Sequence, residues 1–200
     1  SYPYILWHTV YYKGELSIMK TIYFIRHGQT QYNQEGKFIG FTDLPLSLKG
    51  REKIKTLWEA NKPKVDMIFS SPLKRCIETK EIIFPEEKYI VIENMKEMDF
   101  GIFEGKTHME LQDNPHYINF RNSRAEYKIP NGESGIEFSK RILQAFNEMI
   151  NIMDNEKKST SALVCHGGVI MALFARFCKE SDDIYYYQVD NGKGYIAEYS

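Results

Sequence analysis

Side chains able to bind an anion or to give it a proton follow the predicted strands of this sequence at four separate points. The residues concerned are Arg26, His27, Arg75, Glu97 and His166. The first two come directly after the apolar run at 22–25, and each of the others follows a later strand pattern. Parallel strands end at one edge of a sheet, where open α/β proteins bind their ligands. We therefore expect these side chains to converge.

The residue types in this set predict phosphate chemistry. Guanidinium groups at Arg26 and Arg75 match the oxygens of a phosphate, and the Asn33 amide adds a donor. One histidine can serve as nucleophile while the other stabilises charge, and Glu97 is the acid available for a leaving group. Backbone N–H groups at predicted helix starts can add dipoles that favour an anion. They belong to Gly28, Gly167 and Gly168.

Two other interpretations of the same residues stay open. His27, His166 and Glu97 are ligand types that can hold zinc. Arg26 and Arg75 disfavour that site because two fixed cations repel a divalent ion, so we expect no metal and no cofactor. A phosphate-binding module without turnover is the second alternative, although such a module would normally lack either the nucleophile or the acid.

Composition limits the partners. A net charge of -1 over 200 residues argues against nucleic acid or an anionic membrane as the main partner. No apolar run approaches the roughly 20 residues of a membrane span. The three cysteines lack metal-ligand spacing and are typical of reduced thiols in a cytoplasmic protein. We expect a small-molecule substrate, and a monomer or a homodimer.

The order of elements predicts an α/β domain. Strand patterns at 22–25, 65–69, 89–92 and 162–165 alternate with helical patterns, which indicates a mainly parallel sheet covered on both faces. A loop is expected from 32 to 45. Residues 1–18 resemble a leader or tag-like arm, and residues 19–200 form one domain with a small cap around 106–130.

Several local signals predict where helices begin. Ser71 as N-cap with Pro72 at the first helical position predicts one start. The pairs Thr107/Glu110 and Ser134/Glu137 have the spacing of capping boxes. The second pair precedes the longest helix, whose buried stripe is expected to contain Phe138, Ile142, Ala145, Phe146, Met149 and Met153. Runs at 185–189 and 195–199 predict a terminal hairpin or edge strands.

The motifs together resemble the histidine phosphatase superfamily, which includes phosphoglycerate mutases. They are Arg26-His27-Gly28-Gln29-Thr30 with Asn33, the run 70–79 around Arg75, the run 97–105 that begins with Glu97, and His166-Gly167-Gly168. The resemblance implies a three-layer α/β/α sandwich and phosphorylation of His27. It also implies a phosphate pocket of Arg26, Asn33, Arg75 and His166, with Glu97 as acid and then base.

Within the superfamily, three runs resemble α-ribazole phosphatases of cobalamin assembly, at 95–101, 130–134 and 188–192. The resemblance implies a phosphoric monoester hydrolase of the histidine acid type, acting on α-ribazole 5'-phosphate. The short segment at 106–130 favours hydrolysis over a mutase, because the mutases usually carry a longer insertion there. A broad-specificity phosphatase and a cofactor-dependent phosphoglycerate mutase remain the alternatives.

Overall fold

Six strands form one sheet in the computed structural model, which describes residues 5–9, 19–178, 181 and 183–199. They are β1 (Ile5–Thr9), β2 (Lys20–Arg26), β3 (Met67–Ser70), β4 (Ile90–Val91), β5 (Thr160–Cys165) and β6 (Gly194–Tyr199). Their order is β1-β6-β2-β5-β3-β4. The strands β2, β5, β3 and β4 are mutually parallel, whereas β6 runs antiparallel to β2 and parallel to β1. Four strand ends therefore share one edge of the sheet, as the strand patterns predicted.

Seven helices accompany the sheet within the described residues: α1 (Gln31–Gln34), α2 (Leu48–Trp58), α3 (Lys74–Ile83), α4 (His108–Leu111), α5 (Pro115–Asn122), α6 (Gly135–Asn155) and α7 (Gly167–Phe177). Short 3-10 turns occupy Gly101–Phe103 and Ile184–Tyr187. α1 overlaps the start of the segment predicted as loop, and a Thr30/Asn33 capping box begins the helix. No helix in the described part of the chain is long and apolar enough to cross a membrane.

Two apolar cores lie on opposite faces of the sheet. Along β2, Phe24 packs into a core that includes residues of α6 and α7, and Ile25 packs into one that includes residues of α2 and α3. This alternation follows from the two-residue period of a strand. The fold is thus the three-layer α/β/α sandwich that the resemblance implied.

The long helix α6 follows its predicted pattern. Ser134 and Glu137 form the capping box, and all six predicted stripe residues are buried. Each large apolar side chain buried in this way contributes about 1.5–3 kcal/mol to folding. The buried stripe therefore anchors α6 in the core on one face of the sheet.

Two predicted elements differ from the structure. α3 begins at Lys74 after Leu73, which makes no side-chain cap, so the predicted start at Ser71 and Pro72 is wrong. The predicted terminal hairpin is also wrong. Residues Ile184–Tyr187 form a 3-10 turn, and β6 lies between β1 and β2 instead of at the sheet edge.

The first residues contribute one strand. Ile5–Thr9 pair in parallel with β6 at the edge of the sheet. The other residues of the predicted leader, 1–4 and 10–18, lie outside the described part of the chain. The division into an arm and one domain stays a prediction.

Candidate active site

The carboxyl edge of the sheet brings the predicted side chains together. The rings of His27 and His166 lie 5.2 Å apart between centroids. The carboxylate of Glu97 accepts a hydrogen bond from the Gly168 N–H at 2.8 Å. The guanidinium of Arg26 lies against Gly167, where an added Cβ would approach Arg26 Nε to 3.1 Å. Residues from three separated motifs therefore meet at one place.

His27 is held in a single orientation by its own backbone neighbour. Its Nδ1 lies 2.7 Å from the carbonyl oxygen of Gly28, so Nδ1–H donates and Nε2 keeps its lone pair. The residue is 3% exposed. Burial lowers the pKa of His27 well below its ordinary value, and the charges of Arg75 and Arg26 lower it further. The ring is a neutral imidazole with one free nitrogen.

Gly28 was predicted to offer its N–H to an anion, but in the structure it supports His27. Its N–H donates to Thr79 Oγ1 at 3.0 Å, so the predicted use of this group for an anion is not what the structure shows. A Cβ at Gly28 would lie 2.8 Å from Ile54 Cγ1, which explains why glycine occupies the position. Asn191 completes the support by donating from Nδ2 to the His27 carbonyl oxygen at 3.1 Å.

Arg75 is fully buried, and backbone carbonyls fix its fork. Nη1 donates to Thr42 O at 2.9 Å and Nη2 to Gly40 O at 2.6 Å. Nε hydrogen-bonds to none of the described residues. Burial lowers the pKa of Arg75, although a guanidinium stays charged in proteins. A fixed positive charge therefore stands beside both histidines.

The loop that holds Arg75 is itself held by one carboxylate. Glu104 accepts N–H groups of Gly40 at 2.9 Å, Phe41 at 3.0 Å and Thr42 at 3.4 Å, and also that of Phe100 at 3.2 Å. The same short loop thus gives its N–H groups to Glu104 and two of its carbonyls to Arg75. Glu104 positions the loop that positions the cation.

His166 is a second neutral imidazole. Its Nε2 hydrogen-bonds to Ser71 Oγ at 2.7 Å, and no part of the residue is exposed. Burial lowers the pKa of His166 well below its ordinary value, with further lowering by Arg75 and His27. Ser71, predicted as a helix cap, hydrogen-bonds to this ring and also accepts the Leu73 N–H at 3.4 Å, just before α3 begins at Lys74.

Glu97 is buried, and it resists ionisation. Its oxygens accept the Met98 N–H at 2.9 Å and the Gly168 N–H at 2.8 Å. Burial raises the pKa of Glu97, and it outweighs those two hydrogen bonds and the attraction of Arg75 and Arg26. A carboxyl with a raised pKa and an imidazole with a lowered pKa are the pair of groups that general-acid and nucleophilic catalysis require.

Arg26 and Asn33 extend the polar surface toward the outside. Arg26 Nη1 donates to Val189 O at 2.5 Å, while its Nε hydrogen-bonds to none of the described residues. Burial lowers the pKa of Arg26. The Oδ1 of Asn33 accepts the Thr30 N–H at 3.0 Å, the Thr30 hydroxyl at 3.0 Å and Asn191 Nδ2 at 3.4 Å. The Asn33 NH2 group is therefore the part left to donate to an anion.

Comparison with known proteins decides the family. The sequence profile of the histidine phosphatase superfamily (branch 1) matches residues 22–200. The chain belongs to this superfamily.

Individual members are similar over most of their length. The "Putative phosphoserine phosphatase 2" of Hydrogenobacter thermophilus is 32% identical over 160 residues, which are 78% of this chain and 77% of that protein. The "putative alpha-ribazole-5'-P phosphatase" structure from Escherichia coli matches with a TM-score of 0.75 at 25% identity, covering 86% of this chain and 87% of the other. The "Alpha-ribazole Phosphatase" structure from Shigella flexneri matches with a TM-score of 0.72 at 27% identity, with the same two coverages. The superfamily match and the names of these similar proteins together support a phosphatase activity for this chain.

A cavity of about 490 Å³ opens beside the polar residues of this histidine phosphatase fold. Arg26, Asn33, Glu97, Gly167 and Gly168 form its polar end. The remaining wall is mostly apolar and aromatic, and it includes Phe38, Phe100, Phe120, Phe138, Met171 and Tyr185. The predicted cap contributes Phe120, Arg124 and Ala125. His27, Arg75 and His166 lie behind the polar end.

The metal alternative finds no geometric support. No group of three or more His, Cys, Asp or Glu side chains in the described parts of the chain is arranged to hold a metal ion. His27 and His166 instead use ring nitrogens on Gly28 O and Ser71 Oγ. Arg26 and Arg75 make the surroundings positive. The site suits an anion.

Sequence reasoning missed the supporting residues of this superfamily site. Thr79, Asn191 and Glu104 all bind backbone groups of residues far away in the sequence. Thr79 lies in the motif run 70–79 and Glu104 in the run 97–105, but nothing in the sequence indicated which backbone groups they bind. Asn191 lies in the run 188–192 and precedes a glycine in a turn pattern, but neither signal indicated its contact with His27.

Proposed function

We propose that this protein is a phosphomonoester hydrolase that works through a phosphohistidine at His27. The observation that carries the proposal is the 2.7 Å hydrogen bond from His27 Nδ1 to Gly28 O. It leaves Nε2 unprotonated, and the two buried arginines oppose the imidazolium. A neutral nucleophile beside fixed cations is suited to attack a phosphate dianion.

The reaction takes two steps. His27 Nε2 attacks phosphorus, the bond from phosphorus to the ester oxygen breaks, and Glu97 gives its proton to that oxygen. Water then attacks the phosphohistidine, Glu97 takes the water proton, and the P–N bond breaks to release phosphate. Burial of Glu97 keeps the proton available for the first step.

The phosphate is held by Arg26, Arg75, Asn33 and His166, with the Gly167 N–H at the start of α7 as a further donor. With Glu97 protonated, the two guanidinium charges balance a phosphate dianion. The arginines are already fixed by Val189 O, Gly40 O and Thr42 O. Donors that need no reorganisation stabilise the charge that develops in the transition state.

For the alcohol half we propose α-ribazole 5'-phosphate, which carries an aromatic base. The aromatic wall of the cavity supports this substrate, because such a surface stacks on flat rings. The names of the two similar structures support it too. All three cysteines are buried, and reduced thiols are consistent with a cytoplasmic enzyme of this kind.

A smaller, more anionic substrate is the second candidate. Arg124 lines the cavity and stacks on Tyr185 at 4.9 Å and Phe120 at 5.7 Å. Its guanidinium can meet a carboxylate or a second phosphate, as in phosphoserine or a phosphoglycerate. Lys37 also lines the cavity but is engaged with Glu35 at 2.6 Å.

A substrate comparison tests the proposal. The measured quantity is kcat/KM for α-ribazole 5'-phosphate, phosphoserine, 3-phosphoglycerate and simple alkyl phosphates, with and without bisphosphoglycerate. The ribazole ester should lead, and His27→Ala should be inactive on all of them. A flat profile would indicate a broad phosphatase, and isomerised phosphoglycerate a mutase. Phosphate binding with no turnover of any ester would mean a non-catalytic module.

A further inference from the structure

A guanidinium lies behind the backbone segment that carries Glu97. Arg141, on α6, donates from Nη1 to Asn94 O at 2.7 Å and to Lys96 O at 3.0 Å. Its Nη2 donates to Glu97 O at 3.0 Å. One side chain thus binds three carbonyl oxygens within four consecutive residues.

Glu133 fixes this guanidinium from the other side. Its Oε1 accepts Arg141 Nε at 2.7 Å, and its Oε2 accepts Arg141 Nη2 at 2.7 Å. Each side chain is 17% exposed, so water weakens the pair less than at a free surface. Glu133 Oε2 also accepts the Asp99 N–H at 3.0 Å, which ties down the far end of the same segment.

Residues 92–100 belong to no helix or strand, so the contacts with Arg141 and Glu133 (the clamp) help to fix their backbone. β4 ends at Val91 and the next turn begins at Gly101, with no helix or strand between them. Glu97 therefore lies on backbone that no strand ladder holds. Arg141 lies on a 21-residue helix whose apolar face is buried, so the clamp is anchored to a rigid element.

We propose that Arg141, oriented by Glu133, is the positioning residue that aims the Glu97 carboxyl at the leaving oxygen. The inference rests on the proposed role of Glu97 as the acid. Neither Arg141 nor Glu133 lines the cavity. Their effect on Glu97 passes through the backbone at residues 94–99, and misplacing a catalytic group by about 1 Å can cost about a hundredfold in rate.

The charged groups around Glu97 predict how the pH dependence of activity changes when residues 94–99 lose their contacts with Arg141. Arg26 from β2 and Arg75 from α3 face the carboxyl, and N–H groups come from Met98 and Gly168. All four favour the ionised form, and burial alone opposes it. Admitting water by releasing the segment therefore moves the ionisation of Glu97 to lower pH.

The test is a comparison of leaving groups in the full-length protein. Arg141→Ala should lower kcat/KM for an alkyl phosphate by about a hundredfold and that for 4-nitrophenyl phosphate far less, because a nitrophenolate leaves without an acid. The alkaline limb of the alkyl-phosphate profile should move to lower pH. Lys140→Ala, which removes an exposed cation from the same helix, is the matched control and should change neither quantity.

Two further experiments separate a positioning role from a role in folding. Millimolar guanidinium, far below denaturing concentrations, should restore part of the alkyl-phosphate activity of Arg141→Ala and leave wild type unchanged. The exchange Glu133→Arg with Arg141→Glu preserves opposite charges but removes the donors to the three carbonyls, so it should show the same selective loss.

Equal slowing of both esters by Arg141→Ala, without a shift of the alkaline limb, would overturn the inference, and so would no slowing. Glu97→Gln distinguishes this from failure of the proposed function. If Glu97→Gln slows the alkyl ester selectively and Arg141→Ala does not, only the positioning role of Arg141 fails. If Glu97→Gln also slows both esters equally, the acid role of Glu97 fails and the inference fails with it.

Discussion

His27 Nδ1 and the carbonyl oxygen of Gly28 lie 2.7 Å apart. A carbonyl oxygen only accepts hydrogen bonds, so this contact assigns the ring proton to Nδ1 and the lone pair to Nε2. Gly28 is in turn held through its N–H by Thr79. The backbone that follows β2 thus fixes the orientation of the proposed nucleophile, His27.

The pH dependence of the first chemical step should be bell-shaped. His27 must be neutral, and its pKa is lowered from 6.5, so the acid limb should lie below pH 6.5. Glu97 must be protonated, and its pKa is raised from 4.5, so the alkaline limb should lie above pH 4.5. The measurement is kcat/KM for an alkyl phosphate, corrected for ionisation of the substrate. An acid limb above pH 6.5 would contradict a depressed His27 pKa.

Replacement of Glu97 by Gln should discriminate between leaving groups. Loss of a general acid typically costs about 10²–10⁴-fold, and we expect that loss in kcat/KM for alkyl esters. 4-Nitrophenyl phosphate should be slowed much less. Glu93→Gln changes an exposed carboxylate on the same segment and is the control. Similar slowing of both esters would count against the acid assignment.

Removal of the Arg75 guanidinium should cost about a hundredfold or more in kcat, as for other lost transition-state donors. Arg75→Lys should recover little, because an ammonium lacks the fork that binds Gly40 O and Thr42 O together. Arg121→Ala removes an exposed arginine and should have no effect. A loss confined to KM would mean that Arg75 binds the substrate equally in the ground and transition states.

Glu104→Gln should destabilise the fold as well as the site. The carboxylate accepts four backbone N–H groups, and an amide would direct its own N–H2 at some of those donors. Hydrogen bonds to a charged group contribute about 1.5–3 kcal/mol, so urea unfolding at neutral pH should show a loss of that order. Exposed Glu126→Gln is the control. An unchanged urea midpoint would show that the loop does not depend on Glu104.

Local patterns predicted the elements that depend on short-range physics. The apolar stripe of α6 and its Ser134/Glu137 capping box follow from helical spacing alone, and they are confirmed. The convergence of Arg26, His27 and His166 follows from the shared edge of parallel strands. These features need no knowledge of distant residues.

The errors arose where distant residues compete for the same group. Ser71 has the sequence signature of a cap, but its hydroxyl also hydrogen-bonds to His166, 95 residues away, and α3 begins only at Lys74. The N–H of Gly28 is likewise taken by Thr79, 51 residues along the chain. Clamps such as Glu104 and Arg141 bind backbone groups, which every residue carries, so no side-chain pattern indicates the partner.

Trapping of the phosphorylated enzyme tests the central claim most directly. Rapid quenching during turnover of a 32P-labelled ester, followed by peptide mapping, should find acid-labile, alkali-stable label on the peptide that contains His27. His27→Ala should carry no label. Turnover by wild type without labelled protein, or label on a residue other than His27, would contradict the phosphohistidine mechanism.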